Sequence, residues 1–146
     1  MTVCIIRKNG KVLLGLKKKG FAQGLWNGFG GKVQPEESIA SAAAREVKEE
    51  AGIEVHNLRE FGAIDFHQPN GEVFEVHFFL SEDFTGEPKE LEKMIPRWFD
   101  ENSIPYERMF ADDKIWLPLM LAGKKFGGTV WFDSDYKIVK HTIKEI

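Results

Sequence analysis

Residues 31–53 read Gly31-Lys-Val-Gln-Pro-Glu-Glu37-Ser-Ile39-Ala-Ser-Ala-Ala-Ala-Arg45-Glu46-Val47-Lys-Glu49-Glu50-Ala-Gly52-Ile53. The stretch predicts a glycine turn running into a helix over 36–51. Pro35 suits the first turn, Glu36 and Glu37 the positive end of the helix dipole, and Gly52 the C-terminal cap. At about 100° per residue from Glu46, Glu50 falls near roughly 40° and Glu49 near roughly 300°. That is the arc of Ile39, Ala42, Ala43 and Val47, whereas Lys48 and Arg45 fall towards the opposite side. Carboxylates spaced three and four residues apart repel one another, and an amphipathic helix keeps them off its apolar stripe. Three acids on that stripe call for a counter-charge, which a divalent cation held by carboxylate oxygens supplies. A solvated acidic helix end is the competing reading for Glu49-Glu50 taken alone; the inward arc and the upstream glycines weigh against it. Arg45 suits a partner of Ser41 or Glu49 at helical spacing, and equally an arm that orients a metal-binding glutamate.

Gly31, Glu37, Arg45, Glu46, Val47, Glu49, Glu50, Gly52 and Ile53 match every fixed position of the pattern G-x5-E-x7-R-E-U-x-E-E-x-G-U, with U aliphatic. On these residues the chain resembles the Nudix family, with 31–53 as its Nudix box. The resemblance implies an α/β fold, an α/β/α sandwich around a central mixed sheet, formed by a single domain over 1–146. It also implies roles: the Gly30 carbonyl, Glu46, Glu49 and Glu50 as metal ligands, Glu37 as a brace for the box, and Glu49 or Glu50 as the group that takes the proton from water.

Hard oxygen ligands favour Mg²⁺, with Mn²⁺ able to substitute, and the shortage of clustered Cys and His argues against zinc. Mg²⁺ retains waters and bridges phosphate oxygens, so the expected substrate is a di- or triphosphate. Lys32, just past the glycines, suits a phosphate contact and equally a surface turn.

The composition bounds the alternatives. A formal charge of −3 over 146 residues gives no general pull towards nucleic acid, and Lys17-Lys18-Lys19 is the only lysine run. Cys4, the only cysteine, can form no internal disulfide and sits in an apolar strand pattern as a buried thiol. No apolar run reaches membrane-spanning length and no signal peptide pattern opens the chain. The expectation is a monomer in a reducing, cytoplasmic setting, without a stable nucleic-acid or membrane partner.

Along the chain, Thr2 to Arg7 and Val12 to Leu16 flank Asn9-Gly10, the strongest short hairpin signal. Leu25 to Phe29 reads as a short strand. A second hairpin joins Leu58 to His67 with Glu72 to Leu80, where Phe74, Val76, Phe78 and Leu80 share one face. Trp98-Phe99 reads as a short strand, and a second helix starts at Asp112-Asp113 and runs to Lys124. Thr129 to Phe132 and Tyr136 to Thr142 close the chain as strands. This mixed order suggests a central sheet with helices on both faces.

Outside the box, four stretches extend the resemblance to the oxidised-purine nucleoside triphosphatase branch of the family: 14–21, 24–33, 96–99 and 111–119. The branch implies base reading by Asn27 and the Asp112-Asp113 pair, further contacts at Thr2, Lys17, Phe29 and Gly31, and Trp116 within the last stretch. Adjacent buried carboxyls do not both ionise readily, so one keeps a proton to donate while the other accepts. Asp112 equally suits a helix N-cap. Phe21, Phe66 and Phe74 suit a base pocket and equally a core. Two departures stand out: Phe110 where the branch carries tryptophan, and Lys93, beside Glu92, where it carries an acidic metal ligand. The implied activity is Mg²⁺-dependent conversion of oxidised purine nucleoside triphosphates, such as 8-oxo-dGTP and 2-oxo-dATP, to monophosphate and pyrophosphate, cleansing the nucleotide pool and so avoiding DNA damage. The alternatives are hydrolysis of a dinucleoside polyphosphate, nucleotide sugar or capped RNA, and a nucleotide-sensing module without catalysis.

Overall fold

Asn9 and Gly10 take φ of 52° and 74°, the left-handed pair that a two-residue hairpin of the favoured twist requires. They join β1 (Thr2–Lys8) to β2 (Lys11–Lys17) in a computed structural model that describes residues 1–146. The two strands pair with each other only across Ile6–Lys8 and Lys11–Leu13. Beyond that they diverge, and residues 26–31 fill the wedge. β3 (Trp26–Asn27) pairs with Leu16 and Gly15 of β2. On the other side, Phe29 exchanges backbone bonds of 2.6 and 3.0 Å with Cys4, and the Gly31 carbonyl accepts from Thr2 N at 2.9 Å.

The box helix α1 (Ile39–Ala51) follows, then β4 (Glu54–His56), β5 (Arg59–His67), β6 (Val73–Ser81), β7 (Asp83–Thr85) and β8 (Met94–Asp100). A 3-10 turn at Tyr106–Arg108 leads to α2 (Asp113–Leu121), and β9 (Phe126–Phe132), β10 (Ile138–His141) and β11 (Lys144–Glu145) end the chain. The main sheet runs β10-β9-β5-β6-β1-β2-β3, with β8 also on β2 and β11 also on β9; β4 and β7 form a separate ribbon. β1–β6 and β5–β9 are parallel and the other pairs antiparallel. The sheet is therefore mixed.

Both faces of β1 and β2 are covered, which is why their sequences are almost continuously apolar. Cys4, Ile6, Leu13 and Phe29 pack with Ala43, Val47 and Ala51 of α1 on one face. Ile5, Val12, Leu14, Val76, Phe78, Phe126 and Val130 pack with Trp116, Leu117 and Met120 of α2 on the other. This is the α/β/α sandwich expected. Cys4 is fully buried, and burial pushes its thiol up to about 12.

Several boundaries differ from expectation. α1 starts at Ile39 rather than residue 36, because Ser38 caps it: its Oγ accepts from Ser41 N at 3.1 Å. Pro35 and Glu36 instead form a turn, closed by Glu37 N on Gln34 O at 3.1 Å, with Glu36 at φ 65° as the third residue of a type II turn requires. The Trp98-Phe99 strand extends over Met94–Asp100, because it pairs along the whole of β2; Pro96 is tolerated on this edge strand, where a missing N–H faces no neighbour. α2 ends at Leu121, short of Lys124; the expected last strand shortens to β10, and β11 follows beyond it.

Gly62 marks where β5 presses hardest on β9. A Cβ there would lie 1.8 Å from the Phe126 carbonyl oxygen, whereas one on Gly127 would sit 3.7 Å from the Ala63 oxygen, an ordinary contact. Gly62→Ala is expected to cost about 3 kcal/mol, roughly 10 °C in Tm, and Gly127→Ala much less. Thermal melts of the two variants check this, and equal melting points would contradict it.

Candidate active site

The glycine segment and α1 meet through atoms that a Cβ would displace. A Cβ on Gly30 would lie 1.8 Å from the Thr2 carbonyl oxygen, and one on Gly31 would lie 2.6 Å from Cδ of Glu46. With no side chains in the way, Gly30 N donates to Glu50 Oε1 at 2.9 Å, and the Glu46 carboxylate lies against Gly31. The Gly30 carbonyl takes no hydrogen bond from the protein.

Arg45 ties the acids together. Its Nε donates to Glu37 Oε2 at 2.7 Å and a terminal nitrogen to Glu37 Oε1 at 3.0 Å. The other terminal nitrogen donates to Glu46 at 2.8 Å and to Glu49 at 3.3 Å, and a further bond of 3.0 Å reaches the Lys32 carbonyl. Glu37 also accepts from Gln34 N at 3.0 Å. The Arg45 hydrogen bonds come first in holding Glu37 below the usual carboxylate range, and Arg45 in turn holds its proton more firmly than a free guanidinium. Glu37 holds Arg45 from the turn before the helix.

The three box acids do not all face inward. The Glu46 side chain is 13% exposed, but that of Glu49 is 51% exposed. Glu49 stands one turn from Arg45 and leans out to it, and no group of three His, Cys, Asp or Glu side chains converges on one ion-sized point. Ile39, expected on the apolar arc and the first residue of α1, is also exposed. Glu50 is buried, and burial pushes its carboxyl up to about 7, opposed by the Gly30 N–H and by the charges of Lys17 and Lys93 and reinforced by that of Glu46. Two carboxylates and an unpaired carbonyl fit a small hard cation that keeps several waters and shares phosphate oxygens. Glu46, Glu50 and the Gly30 carbonyl would hold it.

The same segment borders a cavity of about 270 Å³ on the α2 face. Its polar groups are Asn27, Gln68, Asp112 and Asp113; Phe66, Phe74, Val76, Phe78, Trp116 and Phe132 make the apolar walls, and Phe21, Phe110 and Tyr136 the mouth. Asn27 Nδ2 donates to Leu25 O at 3.1 Å, which leaves its amide oxygen to the cavity. Asp112 does not cap α2 with its side chain; Oδ2 accepts from Trp116 Nε1 at 2.9 Å instead. Burial and then the negative charge of Asp112 hold the Asp113 carboxyl well above the usual carboxylate range. Burial also raises Asp112, against the Trp116 bond. Both shifts favour a proton retained on the pair, with Asp113 the more strongly raised.

Of the residues expected to bind substrate or line its pocket, the cavity brings together Phe21, Asn27, Phe66, Phe74, Phe110, Asp112, Asp113 and Trp116. Thr2 and Phe29 lie outside it. Strand alternation turns Phe29 into the α1-side core and leaves Val3, not Thr2, on the cavity wall. Gly31, Lys17 and Lys32 belong to the carboxylate end. Met1, Val3, Gly28, Gln68, Val76, Phe78, Phe132 and Tyr136 were not anticipated. The same-face alternation that groups Phe74 with Val76 and Phe78 accounts for two of them; Tyr136, in a turn, carries no periodic signal.

A model of the NUDIX domain matches residues 1–120. The chain belongs to the Nudix hydrolase family. Among Nudix relatives, the oxidized purine nucleoside triphosphate hydrolase of Danio rerio is 45% identical over 100% of this chain and 94% of its own. The Mus musculus protein of the same description is 40% identical over 99% and 94%. The crystal structure of the mutator MutT protein from Bacillus halodurans superposes with a TM-score of 0.88 at 26% identity, covering 98% of this chain and 95% of that one. Nudix hydrolases generally use divalent metal ions. No helix is long and apolar enough to cross a membrane.

A carboxyl raised in the folded state binds its proton more tightly there than in the unfolded chain. Stability therefore falls as pH rises from about 4 through the raised value. Asp113→Asn is expected to melt above the wild type at pH 7, with the gap closing as pH falls towards about 4. Melting curves across that range test it; a gap independent of pH would contradict a proton shared by the pair.

Proposed function

We propose that this chain is a Mg²⁺-dependent pyrophosphohydrolase that converts oxidised purine nucleoside triphosphates, among them 8-oxo-dGTP and 2-oxo-dATP, to the monophosphate and pyrophosphate. The observation that carries this reading is one continuous segment. Asn27 and Gly28 wall the purine-sized cavity, and Gly30 and Gly31 touch Glu50 and Glu46. Three extended residues span roughly 10 Å, comparable to the reach from a purine edge across its sugar to the first phosphate. The two vertebrate relatives named for this activity match over nearly the whole chain, which supports the same substrate class.

In this reading the base enters the cavity with its polar edge towards Asn27 and the aspartate pair. Protonated Asp113 donates to a purine carbonyl, and Asp112, fixed by Trp116, accepts from a ring or exocyclic N–H. An unpaired partner here would cost more than an absent apolar contact, so hydrogen-bond readout outweighs fit in discriminating bases. Glu46 and Glu50, with the Gly30 carbonyl, would hold Mg²⁺. When bound, the ion supplies neutralisation of the phosphate oxygens and acidification of water. Arg45 fixes the Glu46 carboxylate, and Glu37 fixes Arg45. Glu50, shielded from bulk water and oriented by Gly30 N–H, is better placed than exposed Glu49 to take the proton from the attacking water. Lys17 and Lys32 face the polyphosphate as point charges. The protein acts as a monomer in the cytoplasm, on a small-molecule substrate.

Pyrophosphate release with Mg²⁺ across 8-oxo-dGTP, 2-oxo-dATP, dGTP, ATP and ADP-ribose tests the substrate, and the oxidised purines are expected to lead. Comparable rates on dGTP would overturn the sanitising role. Glu46→Gln and Glu50→Gln are expected to lose about 10²–10⁴-fold in kcat, and Glu49→Gln distinctly less, as its exposure requires. Turnover of the Glu50 variant near the wild-type rate would refute the assignment.

A further inference from the structure

We propose that Tyr136 is a substrate-contacting residue: with Phe21 it forms an aromatic roof that closes over the bound purine and sets its affinity. The inference rests on the purine triphosphate reading above and adds a residue to it.

The mouth of the cavity is built from rings of three distant segments. Phe21 comes from the loop between β2 and β3, Phe110 from the approach to α2, and Tyr136 from the β9–β10 turn. The Phe21 ring lies 5.8 Å from Phe110 and 5.3 Å, edge-on, from Tyr136. Tyr136 lies 5.9 Å from Phe132, which stacks on Phe66 at 5.9 Å with an 8° interplanar angle. The rings thus run unbroken from the rim to the wall. Phe21 is 63% exposed and Tyr136 38% exposed. Two large rings held edge to face in water, over a cavity whose polar groups lie deeper, present surface for another flat ring.

The two halves of the roof are built differently. Tyr136 is fixed: Asp133 Oδ1 accepts from Asp135 N at 2.8 Å and Lys137 N at 3.0 Å, and the Asp133 carbonyl accepts from Tyr136 N at 3.0 Å. That network holds Tyr136 at φ 57°, a conformation that is costly for an aromatic residue and persists only where its surroundings enforce it. Phe21 is the movable half. Gly20 and Gly24, both at positive φ with nothing within 4 Å of a would-be Cβ, bracket it. A nucleotide enters by displacing the Phe21 ring from Tyr136, and the ring then returns onto the base.

Tyr136→Asn removes the ring while keeping a residue that tolerates positive φ, so the fold is retained. Equilibrium binding of 8-oxo-dGMP, and KM with kcat on 8-oxo-dGTP, read the effect. The expected result is a rise of about tenfold in Kd and KM, the scale of one lost base-stacking contact. kcat should stay within about twofold, as loss of uniform binding requires. Tyr136→Phe, which restores the ring, should recover most of the loss. If Tyr136→Asn binds 8-oxo-dGMP as tightly as the wild type, the roof is refuted while the proposed function stands. If the wild type neither binds nor hydrolyses any purine nucleotide, the functional reading fails and takes this inference with it.

Discussion

The contact between a backbone without side chains and the carboxylates of α1 is the constraint on which the rest depends. Gly30 N–H reaches Glu50 at 2.9 Å, and the Glu46 carboxylate occupies the space that a Cβ on Gly31 would take. That contact sets the rotation of the helix about its axis. With Glu50 under Gly30, Glu46 one turn earlier faces the same way, and Ala43, Val47 and Ala51 are left to pack on the sheet. The contact also sets the height of the helix against β1, because Gly30 and Gly31 are themselves pinned to Thr2. A one-residue slip of this segment would reverse its faces, turning Phe29 out of the α1-side core.

Electrostatics divides the two ends of the site. At the α1 end one guanidinium serves Glu37, Glu46 and Glu49, and Glu50 is left out. Its burial without a cationic hydrogen-bond partner is what pushes its carboxyl towards neutral pH, and the oxygens that remain suit a divalent ion better than a further side chain. At the cavity end the negative charge is reduced rather than balanced: Asp112 and Asp113 sit beside each other in an apolar wall, and retaining a proton is less costly than burying two charges. The two groups of acids are thus handled by opposite means, because one lies along the glycine segment and the other in an apolar cleft.

The box, both hairpins and the sandwich were legible in the sequence because each is specified locally. Asn9-Gly10 needs only its own backbone angles, and the box needs only helical spacing. What sequence could not supply was where a neighbouring layer ends. The helical wheel puts Ile39 and Glu49 on the buried arc, yet Ile39 is exposed at the first residue of α1 and Glu49 is drawn outward by Arg45. Likewise Ser38, not Pro35, starts α1, since two local signals competed and the hydroxyl cap prevailed. Thr2 and Phe29 were placed with the substrate by resemblance, as backbone or side-chain contacts, and neither lines the cavity. The β4–β7 ribbon gave no signal at three residues a strand.

The cavity escaped local reading for a different reason: no single segment makes it. Val3, Asn27, Phe66, Phe78, Asp112 and Phe132 come from six elements or connections, brought together by the parallel β1–β6 and β5–β9 pairs. Parallel pairing joins strands far apart in sequence, so periodicity within any one of them shows which face a residue takes but not what it faces. The mouth goes one step further, since Phe21, Phe110 and Tyr136 all sit in connections, where neither spacing of 2 nor of 3.6 applies. The carboxylate end is held by charge and by backbone contact, which tolerate little change. The mouth is held by ring contacts between loops. Substitutions at the mouth can therefore alter which nucleotides enter while the carboxylate geometry stays as it is, and selectivity in this chain can diverge faster than its chemistry.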